Sequence, residues 1–274
     1  MWKESPLARN LEEGVAMVHC MEQAGLRLAV GTQRRFAAGY RRAWELRGQI
    51  GQVFLARAHY LFNWGPNLNW RGDTASAGGG ALLELGYHPI DLLVWLLGLP
   101  EEVYGVSAAG NRPEVQQADQ PIYDTDDTAV AILRCGEGST ASVVTSRSSG
   151  PVSEELTLHG LEGSLKADAE SCLLRDPDGN TLERSVEEQS PGGVFRRQAE
   201  AFAQAVLKDT EYYACSGREN LLNLAVVEAI YLSDRTAQPE SPLRLLKTTG
   251  LTAEQCLALR PPEACSPAVS SSGQ

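Results

Sequence analysis

The stretch GGGALLELGYHPIDLLVWLLG, from Gly78 to Gly98, carries the pattern that decides the fold. After three glycines the residues follow a helical periodicity in which Glu84, His88 and Asp91 recur at intervals of four and three. This spacing predicts that the three polar side chains share one helix face. The opposite side carries leucine and valine side chains that are apolar enough to anchor the helix in a core. We therefore expect the polar face to hold a proton-transfer site.

The composition is that of an acidic chain of 274 residues, long enough to bury a substantial core. It has 24 lysine and arginine residues against 35 aspartate and glutamate residues, a formal net charge of −11, which disfavours unspecific binding to nucleic acid or to anionic lipid. No apolar run approaches the ~20 residues of a membrane span, and the N-terminal sequence lacks the order of a secretory signal. These features predict a cytoplasmic protein.

The six cysteines are scattered along the chain without any CxxC pair. This spacing indicates neither a zinc site nor a disulfide framework, so we expect free thiols and no bound metal. A further acidic group, Asp124, Asp126 and Asp127, matches no calcium loop and is expected to lie in a solvated loop.

The first third of the chain predicts one unit of an α/β sheet. Apolar residues at three- and four-residue steps indicate a helix from Leu7 to Ala24, and a short buried strand from Leu26 to Gly31 follows it. A parallel sheet needs several neighbouring strands before its apolar faces are covered, and the sequence offers none upstream. A second short helix is expected from Tyr40 to Leu46.

The middle of the chain is rich in predicted strands, and helices flank it. The pattern favours an α+β fold, one large mixed or antiparallel open sheet with helices on one face. The uncovered face is a natural surface for homo-oligomer formation, and the aromatic residues Tyr60, Phe62, Trp64 and Trp70 are candidates to supply it. The expected strands lie in 51–64, 103–109, 128–135, 139–146, 155–159 and 164–167 and in a hairpin over 171–186, with later helices over 195–207 and 220–233.

Several stretches resemble, in order and spacing, those of the Gfo/Idh/MocA oxidoreductases. KESPLA near the start resembles the Glu-Lys-Pro turn of that family, VGTQRRF resembles its second landmark, and NWRGDTASAGGGALLELGYHPIDLLVWLLG resembles its catalytic helix with the approach to it. Later stretches, including GRENLLNLAVVEAIYLSDRTAQP, resemble its sheet strands and closing helix. The resemblance extends to about residue 245. It implies a residual end of a Rossmann-type nucleotide-binding domain in 1–35, a substrate-binding and oligomerisation domain in 36–250, and a tail, expected to be disordered, in 251–274.

The resemblance also implies a role for each candidate site residue. His88 would exchange the proton of a secondary alcohol, and Glu84 would orient the imidazole or bind a substrate hydroxyl. Contacts with a sugar-like or polyol-like substrate are implied for Asp91, Asn69, Trp70 and Arg71. Contacts with NAD or NADP are implied for Glu4, Ser5, Pro6, Gln33 and Arg34.

Two alternatives remain open for these residues. His88 and Glu84 also fit a purely structural pair on a partly buried helix. The neighbouring Arg35 fits a ligand contact and an exposed surface charge about equally well.

The chain departs from the family pattern at two places. No GxGxxG-type fingerprint opens a strand-to-helix turn, and no acidic residue follows at the distance that holds a ribose. In the Glu-Lys-Pro turn, Ser5 stands where the family has lysine, and Lys3, two residues earlier, would sit about 7 Å away along an extended segment. We therefore expect that most of a Rossmann domain is absent and that this chain alone is not a competent enzyme.

Three functional hypotheses follow from these observations. The first is an NAD(P)-dependent sugar or polyol oxidoreductase whose nucleotide-binding half lies outside the 274 residues. The second is a non-catalytic oligomerisation or carbohydrate-binding protein derived from the family. The third, a non-redox reaction through a bound nicotinamide, also requires the absent domain.

Overall fold

The computed structural model describes residues 1–109, 123–188, 190 and 192–257. The strands are β1 (Trp2–Glu4), β2 (Ala29–Gly31), β3 (Val53–Asn63), β4 (Glu102–Ala108), β5 (Thr128–Arg134), β6 (Thr140–Ser146), β7 (Ser148–Gly160), β8 (Gly163–Ala167), β9 (Ser171–Arg175) and β10 (Thr181–Val186). The helices are α1 (Leu11–Gln23), α2 (Ala38–Leu46), α3 (Thr74–Ala77), α4 (Ala81–Glu84), α5 (Tyr87–Leu97), α6 (Gly193–Leu207), α7 (Gly217–Thr236), α8 (Pro242–Thr248) and α9 (Ala253–Leu257).

Within the described residues, eight strands form one mixed sheet in the order β10-β9-β8-β7-β3-β6-β5-β4. Strand β3 runs parallel to β6, and every other neighbouring pair is antiparallel. Helices α5 and α7 cover one face, where α7 packs against β4 and α5 packs against β3. The predicted α+β class, with an open sheet and helices on one face, is confirmed.

The two faces of the sheet are distinguished by alternating side chains along β4 and β5. Ala129, Ala131 and Leu133 point to the helices and are buried, whereas Val130 and Ile132 between them are exposed. On β4, Val106 pairs with Val130 and Tyr104 pairs with Ile132, and both of these β4 side chains are also exposed. The face opposite the helices is therefore apolar and uncovered in this chain.

The aromatic residues proposed for that uncovered face belong to the other one. Tyr60 continues the alternation of the buried Ala56 and Ala58 on β3, and its ring lies 6.2 Å from the ring of His88, on the helix-covered side. The assignment of the aromatic cluster to an oligomer interface is thus wrong for Tyr60, because the strand periodicity directs its ring to the interior.

The N-terminal segment forms a small parallel unit in which α1 connects β1 to β2. Helix α1 begins at Leu11 rather than Leu7, because the Asn10 side chain accepts a hydrogen bond from the Glu13 amide and caps the first turn. It packs closely on α7: a Cβ added at Gly14 would lie 2.6 Å from Leu224 Cδ1. This unit has only two strands, and the packing of α1 on α7 holds it in place.

The helix predicted after Gly80 is divided into α4 and α5. Pro89 has no amide hydrogen to donate to the Leu85 carbonyl, so a single helix cannot continue through it, and α5 starts at Tyr87 with the proline in its first turn. The helices on either side of this break are inclined by 53°. The prediction that Glu84, His88 and Asp91 share one helix face is therefore wrong.

The glycines before α4 allow a close approach to the segment that precedes β5. A Cβ on Gly80 would stand 2.0 Å from the carbonyl oxygen of Asp126, so only glycine fits against that strand end.

Within the described residues no single helix is long and apolar enough to cross a membrane. The segments 74–84 and 87–97 meet that criterion only when they are combined across their bend.

The part of the predicted tail that the structure describes is helical rather than irregular. Ala253–Leu257 forms α9, which packs on α7 and buries Cys256. Residues 258–274 of the tail, with Cys265, lie outside the described residues. The five described cysteines are free thiols, as predicted.

A buried ionic network joins the parallel unit to the sheet domain. Arg35 follows β2, and its Nε and Nη2 donate to both carboxylate oxygens of Asp91 on α5, at 2.8 and 2.6 Å. Its Nη1 donates to Glu219 on α7 at 3.2 Å, and Asn223 donates to Asp91 at 2.7 Å. Burial alone would lower the pKa of Arg35, but Asp91 and Glu219 raise it well above its ordinary value. The alternative of Arg35 as a surface charge is thereby excluded.

We predict that Asp91→Asn lowers the free energy of unfolding by about 3 kcal/mol, because it leaves the buried Arg35 with a single carboxylate partner. The matched control is Glu102→Gln, which breaks the exposed ion pair with Arg134 and is expected to have only the small effect typical of surface pairs. Urea denaturation of the two variants measures the difference. Equal losses in both would contradict a structural role for the network.

Candidate active site

The imidazole of His88 lies at the start of α5, opposite the turn that follows β1. Its Nε2 is 3.4 Å from the hydroxyl oxygen of Ser5, the residue that replaces the family's lysine. Its Nδ1 is inaccessible to solvent and has no hydrogen-bond partner, although the residue keeps some exposed surface. The ring therefore holds unused hydrogen-bonding capacity in a largely apolar environment.

The protonation state of His88 is set by its surroundings. Burial, and secondly the positive charge of Arg34, lower the pKa of His88 to about 3. At neutral pH the imidazole is uncharged and able to accept a proton. This is the state that a general base requires before reaction.

Arg34 comes from the turn after β2 and forms one wall beside His88. Its Nε lies 2.7 Å from Glu154 Oε1 on β7, and the same carboxylate accepts a hydrogen bond of 2.8 Å from the hydroxyl of Tyr40. The guanidinium also stacks over the Tyr60 ring at 5.2 Å from its centroid. Arg34 thus stays close to His88 with its charge neutralised by Glu154.

Arg71 and Glu84 form a second cluster, held together by an ion pair. Its Nε donates to Glu84 Oε1 at 2.6 Å, and both side chains are about three-quarters buried. The guanidinium lies between two indoles, 4.6 Å from the ring centre of Trp64 and 4.5 Å from that of Trp70. Of the four predicted substrate contacts, Trp70 and Arg71 therefore belong to one cluster, and Glu84 is paired with Arg71 rather than with His88.

The two remaining predicted substrate contacts lie elsewhere. The Asp91 side chain is completely buried and is occupied by Arg35 and Asn223, so it holds α5 in place rather than facing a ligand. Asn69 is exposed, with a positive φ of 51° that asparagine tolerates better than most residues. The alternative of a structural pair between His88 and Glu84 receives no support, because each has a different partner.

Lys3 does not take the place of the family's lysine in this structure. Its Nζ donates to the carbonyl oxygens of Pro6 and Glu4, at 2.8 and 3.2 Å, so the ammonium is turned back on its own segment. Burial lowers the pKa of Lys3, an effect that Glu4 opposes. The cationic group therefore braces the turn that presents Ser5.

The residues predicted to contact a cofactor lie at two neighbouring strand ends. After β2, the hydroxyl of Thr32 and the side-chain carbonyl of Gln33 are buried and have no hydrogen-bond partner among the described residues. Glu4 is the last residue of the adjacent β1, and Ser5 and Pro6 follow it. Across the described ranges, however, no glycine-rich turn leads from a strand into a helix to hold a pyrophosphate.

A buried hub that the sequence analysis missed holds these walls together. Arg147, at the end of β6, donates to Asp127 at 2.9 Å, to the Thr125 hydroxyl at 2.7 Å and to the backbone carbonyl of Arg71 at 3.2 Å. The carboxylate of Asp126 accepts hydrogen bonds from the amides of Gly80 and Leu82, each at 2.8 Å, and so caps α4.

The expected solvated loop at this acidic segment is therefore wrong for Asp126 and Asp127, which are both buried. Glu154 and Tyr60 were missed as site residues as well. Only the period-two alternation along β3 signalled that Tyr60 faces the helices, and no local pattern indicated Glu154. In the described part of the chain, no group of three metal-ligating side chains comes together.

Fold and site together define an α+β domain with a cluster of polar and aromatic side chains around His88, beside the end of a parallel βαβ unit. Residues 41–166 match a family model described as the GFO/IDH/MocA C-terminal domain. The sheet domain of this chain is therefore similar to the C-terminal domain of the Gfo/Idh/MocA oxidoreductases.

Characterised relatives are similar over different shares of the chain. Levoglucosan dehydrogenase of Pseudarthrobacter phenanthrenivorans is 29% identical over 59% of this chain and 47% of its own length. A 1,5-anhydro-D-fructose reductase of Ensifer adhaerens is 26% identical over 86% of this chain and 70% of its own length. The chain thus spans about half of the first relative and about two-thirds of the second.

Solved structures share the fold. A levoglucosan dehydrogenase in complex with NADH and levoglucosan superposes with a TM-score of 0.77 at 22% identity, covering 88% of this chain and 72% of that protein.

We predict that Arg34→Gln raises the pKa of His88 from its value of about 3 towards the ordinary range, because it removes a positive charge while burial persists. An NMR titration of the imidazole measures the shift. The matched control is Arg57→Gln, which removes a positive charge from beside a different histidine. Burial is the larger cause that lowers the pKa of His159 on β7, and Arg57 is the second. An unchanged His88 titration in Arg34→Gln would contradict the assignment of Arg34 to the site.

Proposed function

We propose that this chain is the substrate-binding part of an NAD(P)-dependent oxidoreductase acting on a secondary alcohol of a sugar or polyol. The observation that carries the proposal is the partly buried, uncharged imidazole of His88, which lies next to the Ser5 hydroxyl and is influenced by Arg34, whose charge Glu154 compensates. The named activities of the relatives, which act on levoglucosan, 1,5-anhydro-D-fructose and D-xylose, support this substrate class.

In the proposed reaction, His88 accepts the proton of the substrate hydroxyl as the alcohol becomes a carbonyl. Ser5 hydrogen-bonds the imidazole and keeps the ring directed towards the pocket. A bound nicotinamide would supply the hydride acceptor. The buried Thr32 and Gln33 oxygens would orient its carboxamide, because they lack partners of their own.

We further propose that these 274 residues do not hold the dinucleotide by themselves. The supporting observation is that the described residues offer partners for the nicotinamide end but no amide cradle for the pyrophosphate. A nucleotide-binding unit placed beside β1 would supply that cradle and complete the site.

A second candidate is a non-catalytic carbohydrate-binding protein. The specific observation in its favour is Ser5, which cannot supply the positive charge that lysine provides next to a developing alkoxide. Lys3 does not restore that charge, since its ammonium is bound to backbone carbonyls.

The deciding experiment joins this chain to the N-terminal nucleotide-binding part of the 1,5-anhydro-D-fructose reductase relative. We predict NAD(P)-linked oxidation of a neutral sugar by the chimera, reduced about 100-fold or more in His88→Asn, the loss typical of a missing general base. His59→Asn is the matched control, because His59 bonds Ser153 on the uncovered side of β3. The isolated chain is expected to show no calorimetric signal with NAD(H) or NADP(H).

Two results would count against the redox proposal. Undiminished turnover in His88→Asn would remove His88 from the reaction. A chimera that binds both dinucleotide and sugar without turnover would favour the carbohydrate-binding alternative instead.

We also propose that the uncovered sheet face forms a homo-oligomer interface. Tyr104, Val106, Val130 and Ile132 are adjacent across β4 and β5, and each is at least 43% exposed, so they form one apolar surface. Such a surface is stabilised by a second copy of the same face, as in symmetric dimers.

We predict that Ile132→Glu converts the oligomer to a monomer, because it places a charge in the centre of that surface. Leu207→Glu is the matched control, since Leu207 is 84% exposed on α6, away from the sheet face. Light scattering after size exclusion measures the mass of each variant. A monomeric unsubstituted protein at micromolar concentration would contradict the interface.

A further inference from the structure

We infer that Tyr87 is a positioning residue, whose hydroxyl group fixes the turn that carries Ser5 opposite the imidazole of His88. The inference rests on the proposed function and assigns a further residue to the same site. It is carried by a series of buried hydrogen bonds that joins the turn after β1 to helices α5 and α7.

Two adjacent residues of α5 contact the turn after β1. The hydroxyl oxygen of Tyr87 accepts a hydrogen bond of 3.4 Å from the backbone amide of Leu7. The imidazole Nε2 of His88 lies 3.4 Å from the hydroxyl oxygen of Ser5. Between Ser5 and Leu7 stands Pro6, whose ring restricts the backbone torsion φ. The position of the Leu7 amide is therefore transmitted to Ser5 across one stiff residue.

The two contacts are equally long, but they differ in their access to water. Leu7 and Tyr87 are both completely buried, whereas the contact of Ser5 with His88 is only partly buried. Among the described residues, the Leu7 amide has no acceptor other than Tyr87. A buried amide without an acceptor is costly, while water can replace a partner at an accessible contact. The contact with Tyr87 is thus the one that determines where Ser5 lies.

The Tyr87 hydroxyl is itself held in one orientation. It donates to Oδ1 of Asn220 on α7 at 3.0 Å. The amide nitrogen of Asn220 donates to the carbonyl oxygen of Ser216 at 2.9 Å, which fixes the orientation of the side-chain amide. Burial raises the pKa of Tyr87, so the hydroxyl keeps the proton that it donates. A phenylalanine at this position would lose both hydrogen bonds.

The same series of hydrogen bonds continues to the turn after β2. Asn223 donates to Oδ1 of Asn220 at 3.3 Å and to Asp91 at 2.7 Å, and Asp91 binds Arg35. The turns after both strands of the parallel unit are therefore connected through α5 and α7. Tyr87 is the member of this series that contacts the turn after β1.

The test records the nitrogen-15 resonances of the His88 imidazole in the histidine-labelled protein at neutral pH, without substrate or cofactor. Comparison with His88→Asn assigns the resonances among the four histidines. Ser5→Ala removes the hydroxyl and so defines the shift of the Nε2 resonance that accompanies loss of the contact. We expect Tyr87→Phe to shift the resonance in the same direction. The double variant should give no shift beyond that of Ser5→Ala.

The matched control is Tyr213→Phe. The Tyr213 hydroxyl also joins backbone groups, since it accepts from the amide of Leu28 at 3.0 Å and donates to its carbonyl oxygen at 3.1 Å, just before β2. Its loss removes the same kind of hydrogen bond at a different place and should leave the Nε2 resonance of His88 unchanged. Thermal unfolding confirms that each variant is folded before the spectra are compared.

A measurement on the unsubstituted protein tests the same contact if Tyr87→Phe does not fold. We expect the Leu7 amide to exchange its hydrogen as slowly as amides in the interior of α7, because its bond to Tyr87 is completely buried. Rapid exchange at Leu7 would show that Tyr87 does not hold the turn.

The inference is overturned if Tyr87→Phe or Ser5→Ala leaves the Nε2 resonance unchanged, if the two shifts add, or if Tyr213→Phe produces the same shift. Because neither substrate nor cofactor is present, these outcomes are independent of the redox test. A chimera without turnover, combined with shifts of Tyr87→Phe and Ser5→Ala that do not add, would remove the proposed reaction and leave the positioning role of Tyr87 intact.

Discussion

The buried contact of Arg35 with Asp91 and Glu219 is the constraint on which the rest of the structure depends. It joins the end of β2 to α5 and α7 through charged groups that have no access to water. Separating these elements would leave a buried charge without its partner, at a high cost in free energy. The relative positions of the three elements are therefore strongly determined. As a consequence His88, one turn before Asp91 on α5, is held opposite Ser5, and Arg34, the residue before Arg35, is directed into the pocket.

A second buried cluster, formed by Arg147 with the segment from Thr125 to Asp127, organises the opposite wall. It fixes the backbone of Arg71 and, through Asp126, the first turn of α4 that ends in Glu84. The pocket is thus built from loops and helix ends whose positions are determined by polar groups in the interior. Such preorganisation holds catalytic and binding groups in place without further ordering when a ligand arrives.

Charge is closely balanced around the histidine. Burial and Arg34 keep the imidazole neutral, while Glu154 compensates Arg34 and Glu84 compensates Arg71. The ring of His88 is thus next to Arg34, an arginine whose charge is already matched by a carboxylate.

The sequence by itself determined the elements that have a local pattern. The helical and alternating periodicities predicted α1, α2, α6, α7 and most strands of the sheet, and ordered motifs identified the family and pointed to His88, Ser5, Gln33 and Arg34. The tertiary structure alone decided which side chains meet. Asp91 pairs with Arg35 across 56 residues and Glu219 with Arg35 across 184, so no periodicity of a helix or strand records either contact. The shared face of Glu84, His88 and Asp91 was a local prediction that failed, because Pro89 interrupts the helix and each side chain then finds a partner on a distant element.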